Sequence, residues 1–493
     1  MDNMKVKPMT KARLGQVLAM SAAVFAAGCS MAPKYERPEA PIAADWPGLR
    51  LSRSLQGAAP SASAAVQTVA AADIEWQSFF SDPKLRQLIE VALRNNRDLR
   101  VAVLNIEQAR AQFQIRRADQ FPTVGAAVTG SRQPSASGNS ITSVYTAGLA
   151  ITSYELDFFG RVASLREAAL AQYLATEEGR KTTQISLIAS VANTYLSLLA
   201  DEELLAITRQ TLGTREESFK LSQLRFDNGV TSELDLRQSE SLLESARVSL
   251  AQLQRQRALD ENLLTLLLGQ PLTGELAAAV PAGQALADAP LMADVPAGLP
   301  SDLLTRRPDI RQAEQQLLSA NANIGAARAA FFPRISLTAS AGSVSNHLSG
   351  LFESGTYGWT LAPQLFLPLF DAGRNRAGLE SANANRDIAV AQYERAIQTA
   401  FREVADALAG RATLGEQVRA QQAQATAEST RFKLADLRYQ NGIASQLDLL
   451  DAQRSLFAAQ QAVVQTRLLQ LQNQVTLYKT LGGGWTEPSS ATR

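Results

Sequence analysis

The residue types best suited to chemistry are scarce in this chain. Its 493 residues include a single cysteine, Cys29, and a single histidine, His347. One cysteine excludes an intramolecular disulfide and a cysteine-based zinc or iron–sulfur site, and one histidine excludes a metal site of the HExxH type. His347 lies in a stretch rich in Gly, Ser and Asn, which is typical of a solvated surface loop. Without a nucleophile–histidine–acid set, we predict that the chain is not an enzyme and that it holds no metal or cofactor.

Cys29 stands at the end of a stretch with the layout of a secretory signal. Basic residues occupy positions 5, 7, 11 and 13, and the apolar run over 14–27 is too short to span a bilayer. The run closes in AAGC at 26–29, which resembles a bacterial lipobox, where the cysteine thiol takes a diacylglycerol and the peptide is cleaved before it. Ser30 favours outer-membrane sorting in such lipoproteins. We predict a signal peptide over 1–28 and a covalent lipid on Cys29 that anchors the chain in outer membrane lipid. An ordinary cleaved signal with an incidental cysteine is the alternative.

Two stretches of the chain carry the same helix-turn pattern, an Asn-Gly pair followed by Ser-x-x-Asp. They are Asn228-Gly229 with Ser232 and Asp235, and Asn441-Gly442 with Ser445 and Asp448. Asn-Gly favours the left-handed backbone that ends a helix, and Ser-x-x-Asp matches the N-cap pattern of a following helix, with Asp in place of the usual Glu. The sequence therefore predicts a tight turn between two helices at each position.

Composition excludes several classes of protein. Apolar residues make up 46% of the chain, enough for a sizeable core, and 48 Lys and Arg against 47 Asp and Glu give a net charge of +1. That balance argues against a nucleic-acid partner, which would require a basic face, and against an acidic disordered chain. Beyond the signal, no run of about 18 apolar residues predicts a transmembrane helix, so a membrane crossing would have to be made by β-strands.

An internal repeat is the most informative feature of the sequence. A shift of 211 residues aligns 98–122 with 309–333, and a shift of 213 residues aligns 160–269 with 373–482. The change of shift places a two-residue insertion between Pro333 and Gly373. Such a long match indicates two copies of one structural unit instead of a solenoid of short repeats.

Both copies predict the same order of elements: a helical stretch, a two-stranded hairpin, a long helix and a second helix. The paired ranges are 84–119 and 301–330, 122–156 and 333–369, 161–227 and 374–440, and 232–268 and 445–481. The hairpins alternate apolar and polar residues in strands of about 10 residues, a length that suits a tilted bilayer crossing. The long helices reach about 100 Å at 1.5 Å per residue, and a seven-residue leucine rhythm in the second helices predicts coiled-coil pairing within each helix pair.

Four strands per chain predict an assembly of several chains. A membrane sheet cannot leave open edges in hydrocarbon, and the smallest common closed barrels have about 8 strands. We predict an internally duplicated α+β fold in which three chains form a twelve-stranded outer-membrane β-barrel, continued by a long periplasmic α-helical barrel. An equatorial mixed domain is part of the same prediction, as the family resemblance given below implies. The predicted divisions are a signal peptide at 1–28, a lipid-anchored segment and equatorial wrap at 29–83, the first repeat at 84–269, an equatorial linker at 270–300, the second repeat at 301–482 and a C-terminal tail at 483–493.

The mature chain resembles the outer-membrane factors of tripartite efflux systems, of the TolC/OprM type, and within them the NodT-like lipoprotein branch. The stretches that carry the resemblance are WQSFFSDPKL at 76–85, RPDIR at 307–311, FFP at 331–333, DLLDAQR at 448–454 and LYKTLGGGW at 477–485. The resemblance implies a homotrimeric channel that passively conducts drugs or other toxic compounds to the exterior. It also implies two partners, a periplasmic adaptor (membrane fusion) protein and an inner-membrane pump of the resistance–nodulation–division (RND) class.

The resemblance further implies a constriction just past the turn of the second helix pair. Carried over by motif, its residues are Leu447, Asp448, Asp451 and Arg454, with Asp235 and Gln238 as the repeat partners of the two aspartates. Asp448 and Asp235 also stand where a capping acid belongs, so capping and pore lining both stay open for them. Asp451 lies a turn deeper, and we expect a pore-facing ring there. The turns Asn228-Gly229 and Asn441-Gly442 are the predicted adaptor-docking tips.

A second hypothesis is a periplasmic coiled-coil lipoprotein, a scaffold or adaptor that never enters the bilayer. The two alternating hairpins discriminate, because a scaffold needs no such hairpins at matching repeat positions. The nature of the cargo is not predicted by any motif in the sequence.

Overall fold

The computed structural model describes residues 31–43, 46, 73–134, 141–286, 292, 295 and 302–485. The predicted signal peptide and Cys29 lie outside these residues. The chain divides into two compact units, of which the first comprises Asn105–Thr176, Gln312–Tyr393 and the described residues before position 40. The second comprises the remaining described residues. Each unit draws on both sequence copies, so the units of packing are not the units of repetition.

The helices and strands occur in the same order in the two copies. The first copy contains α1 (Trp76–Phe79), α2 (Pro83–Asn95), α3 (Arg97–Ala118), β1 (Val124–Pro134), β2 (Ile141–Leu156), α4 (Arg161–Asp227) and α5 (Glu233–Leu268). After the short helix α6 (Glu275–Ala279), the second contains α7 (Asp302–Arg306), α8 (Pro308–Ala329), β3 (Arg334–Ser345), a 3₁₀ turn (Leu348–Gly350), β4 (Tyr357–Phe366), α9 (Arg374–Gln440) and α10 (Gln446–Thr480). Both long helices, α4 and α9, have 67 residues.

The first helical stretch of each copy, predicted roughly over 84–119 and 301–330, consists of two helices with a break between them. Asn96 has an extended backbone, with φ −60° and ψ 134°, and its side chain accepts a hydrogen bond from the Leu99 N–H at 2.9 Å. In the second copy the break falls at Arg307, because the residue before a proline is disfavoured in a helix while Pro308 suits the first helical position.

The four strands form one antiparallel sheet in the order β1-β2-β3-β4. The central pairing of β2 with β3 joins the hairpins of the two copies, with Leu149 opposite Ala341. Among the described strands, β1 and β4 have a partner on one side only. The sheet of this chain therefore has two open edges.

The strand register separates apolar from polar side chains on the two faces of the sheet. Directly opposite residues share a face. One face carries the apolar side chains Val124, Val128, Leu149, Ile151, Ile335, Leu337, Trp359, Leu361 and Leu365. The other carries Thr129, Ser131, Thr146, Ser336, Thr338, Ser340, Thr360 and Gln364. Val128 and Trp359 on the apolar face are 75% and 69% exposed, so this chain leaves its apolar face uncovered.

Of the described helices, α4 alone is long and apolar enough to cross a membrane by length and composition. Buried residues make up 67% of its most apolar stretch, as expected for a helix at the centre of a packed core. Tyr195, Leu198 and Leu205 of α4 are among the largest fully buried side chains.

An N-terminal segment over residues 31–37 runs along α8. The Arg328 guanidinium donates to the Met31 carbonyl at 3.3 Å, and Asn321 donates to the Pro33 carbonyl at 2.8 Å. Further along, Arg37 makes a two-pronged ion pair with Glu314, at 2.7 and 2.9 Å. The segment therefore lies antiparallel to α8, with Met31 at the end of the helix that leads into β3.

Candidate functional site

The two Asn-Gly turns have nearly the same geometry. Gly229 and Gly442 adopt left-handed backbones with φ 68° and 73°, a conformation that glycine adopts without strain. In each turn the preceding asparagine donates from its side chain to a carbonyl of the last helical turn at 2.7 Å. The residues after the glycines, Val230 and Ile443, are 74% and 69% exposed. Each predicted docking tip therefore presents a hydrogen-bonded turn with an exposed apolar side chain, and docking itself stays a prediction.

Asp448 completes a capping box at the start of α10, and Asp235 is held by two hydroxyl groups at the start of α5. The Ser445 hydroxyl and backbone N–H donate to Asp448 Oδ2 at 2.9 and 3.1 Å, while Ser445 Oγ accepts from the Asp448 N–H at 3.2 Å. Ser232 and Thr231 donate to Asp235 at 2.8 and 3.0 Å. These hydrogen bonds lower the pKa of both carboxyl groups. The geometry therefore displays the capping role for Asp448, and pore lining by either aspartate stays a prediction.

Asp451 is held by a cation that no motif in the sequence predicted. Its carboxylate forms an ion pair with Arg431 of α9. Arg454, which is on α10 like Asp451, has its Nη1 3.8 Å from Asp451 Oδ1. Residues 431 and 451 lie at similar sequence separations before and after Gly442. They therefore come to face each other when the helix pair folds back at that glycine. The pore-facing ring predicted at Asp451 stays a prediction, but this carboxylate also bridges the two helices of the second pair.

Three of the predicted constriction residues lie together, in a groove between α5 and α10. Gln238, Leu447 and Arg454 line a cavity of about 300 Å³. The remaining lining residues are Leu234, Arg237, Ser241, Leu242 and Leu450. Within the described part of the chain, Gln238 Oε1 is buried without a hydrogen-bond partner. The groove thus combines polar groups from both copies.

Polar side chains link the helix pairs of the two copies. The Gln446 amide donates to the hydroxyls of Ser222 and Ser239, each at 2.7 Å. Arg225 donates to the Tyr439 hydroxyl, and its guanidinium lies 4.9 Å from the centre of that ring. The sequence signals the Gln446 contact only through a difference between the copies, since the repeat partner of Gln446 is Glu233.

The sequence matches a family model described as "Outer membrane efflux protein". The match covers residues 88–270 and 299–483, that is, once for each copy of the repeat.

Similar proteins of known description cover almost the whole chain. The antibiotic efflux pump outer membrane protein ArpC and the toluene efflux pump outer membrane protein TtgC, both of Pseudomonas putida, are each 50% identical over 485 residues, which is 97% of this chain and 97% of theirs. Among solved structures, the open state of the MtrE outer membrane channel of Neisseria gonorrhoeae superimposes with a TM-score of 0.81 at 40% identity, over 93% of this chain and 99% of that one.

Proposed function

Because this chain belongs to the outer membrane efflux protein family, we propose that it is the exit duct of a tripartite efflux pump, conducting passively from periplasm to exterior. One observation carries the proposal. The sheet exposes an apolar face and keeps hydroxyl side chains on the opposite face, which is the pattern of a strand set between lipid and a water-filled lumen. Long helices follow the strands at Arg161 and Arg374 and extend the duct.

The working channel is a homotrimer. An open edge exposes unpaired N–H and C=O groups, which lipid cannot satisfy. Pairing β4 of one copy with β1 of the next covers both edges at once, and three copies supply twelve strands.

A lipid on Cys29 anchors each chain. The support is the segment over 31–37, which binds along α8 and brings Met31 to the end of that helix next to β3. Met31 therefore lies near the start of the strands, which under this proposal enter the membrane.

The pump partners are a periplasmic adaptor protein and an inner-membrane RND-type pump. The exposed tips Val230 and Ile443 present the adaptor with matched apolar contacts from the two copies. The cargo includes toluene and antibiotics, the compounds for which the 50% identical relatives are named. A scaffold confined to the periplasm does not account for an apolar sheet face left open to solvent.

Conductance across a planar lipid bilayer tests the proposal. Purified full-length protein should produce discrete, long-lived conductance steps, and expression in a strain lacking its own exit duct should restore resistance to toluene. Protein that binds vesicles but produces no steps would contradict a channel and support the scaffold. Labelling with radioactive palmitate should mark the wild type and leave Cys29→Ser unlabelled, which tests the anchor separately.

A further inference from the structure

The C-terminal part of α4, over residues 206–227, buries only polar side chains. Between residues 206 and 227, the buried positions are Thr208, Arg215 and Ser222, with exposures of 0%, 3% and 2%. They are spaced seven residues apart, so they form one row on the helix that faces its neighbours. A core row of this kind is normally apolar, and here its central member carries a full positive charge.

In the described part of the chain, Arg215 has no anionic partner. Its Nη1 donates to the Leu242 carbonyl of α5 at 2.8 Å, and its guanidinium lies 5.1 Å from the centre of the Phe457 ring of α10. Among the described residues, no carboxylate pairs with this side chain and its Nε has no hydrogen-bond acceptor. The charged group that does act on it is Arg454 of α10, which repels it. Burial and this repulsion both lower the pKa of Arg215.

The surroundings of Arg215 come from both copies of the repeat. Leu242 belongs to the first helix pair, α4 and α5, whereas Phe457 and Arg454 belong to the second, α9 and α10. An arginine withdrawn from water without a carboxylate destabilises the packed state, and a carbonyl and an aromatic ring offset only part of that penalty. If α10 moves off α4, the guanidinium regains water and the repulsion from Arg454 falls.

We propose that Arg215 is a charge built into the contact between the two helix pairs that weakens this contact and so favours their separation. The charge sets how readily the periplasmic end opens, a consequence that rests on the proposed channel function. The repeat partner of Arg215 is Glu428, which pairs with Arg431 at 3.1 Å, so the matching position of the second copy carries a paired acid instead of an arginine.

The test replaces the charge by an apolar side chain of similar length. Arg215→Met should raise the midpoint of thermal unfolding in detergent and lower the open fraction in planar bilayers, by roughly tenfold for each 1.4 kcal/mol removed. Arg215→Lys keeps the charge and should resemble the wild type in both measurements. Arg209→Met, at an exposed position on the same helix, is the matched control and should change neither.

A second variant leaves Arg215 in place and removes the repelling neighbour. Arg454→Gln should raise the unfolding midpoint in the same direction as Arg215→Met, by a smaller amount. The inference is overturned if Arg215→Met lowers the midpoint, or if Arg454→Gln leaves it unchanged or lowers it. Should the wild type itself fail to conduct, the proposed function fails, while the unfolding comparison still decides the role of Arg215.

Discussion

At the scale of single residues, the buried Asp201 of α4 stands out. It is 6% exposed, and its Oδ2 has no hydrogen-bond partner in the described part of the chain. Burial is the largest cause that raises the pKa of Asp201, and the neighbouring Asp260 is the second. Together they bring this pKa from 3.8 to about 7. A carboxyl whose pKa is raised on folding binds its proton more tightly in the folded state, so it destabilises the fold progressively as pH rises from about 4 to about 7.

Asp201→Asn should therefore abolish part of the pH dependence of stability. The unfolding midpoint of the wild type is expected to fall between pH 5 and pH 8, and that of the variant to fall less, because the amide does not titrate. Asp227→Asn, at an exposed position on α4, is the control. Parallel pH profiles for Asp201→Asn and wild type would show that this carboxyl does not titrate in the range.

The ion pair between Asp451 and Arg431 gives a second prediction at this scale. If the main role of Asp451 is to hold the two helices of the second pair together, Asp451→Ala and Arg431→Ala should raise bilayer conductance to a similar extent. The expected increase is roughly two- to fivefold, because an exposed ion pair contributes under about 1 kcal/mol. The double variant should add little beyond either single variant. A change of ion selectivity in Asp451→Ala alone would instead establish it as a pore-lining charge.

At the scale of elements, three glycines lie opposite one another on β2, β3 and β4: Gly148, Gly342 and Gly358. A Cβ added at Gly342 would overlap the carbonyl of Ala147, so the strands approach too closely there for any side chain. Gly342→Ala should destabilise the protein by about 1–3 kcal/mol. Gly125→Ala, where a Cβ meets no atom within 4 Å, should be close to neutral. Denaturant unfolding of both variants checks this, and equal stabilities would contradict the close strand approach.

The two faces of β4 give a matched pair of substitutions. Trp359→Lys places a charge on the apolar face and should cost up to about 4 kcal/mol of membrane stability, whereas Thr360→Lys places the same charge on the polar face and should be tolerated. Fractionation of outer membranes measures the amount inserted. Equal loss for both variants would mean that the apolar face does not contact lipid.

The ends of the elements were easier to predict than their pairing. Asn-Gly followed by Ser-x-x-Asp located both helix turns, because capping and left-handed glycine are local effects. The contact between β2 and β3 was not predictable, since it joins strands almost 200 residues apart and no local rule selects the partner. The same holds for Arg215, whose position in a polar heptad row is visible in the sequence while its lack of a carboxylate is not.

At the scale of the whole molecule, the account depends on the two open edges of the sheet. Within the described residues, the outer strands β1 and β4 each lack a second partner, although the exposed apolar face is built for lipid. A sheet of four strands satisfies neither requirement alone. On this account, membrane insertion requires the association of several copies.

Native mass spectrometry of the protein extracted in mild detergent tests this claim most directly. The account predicts a single species with the mass of three chains, which falls apart only under conditions that also remove the β-sheet signal from circular dichroism. A stable monomer that keeps its sheet would contradict it, because such a chain would satisfy its own strand edges.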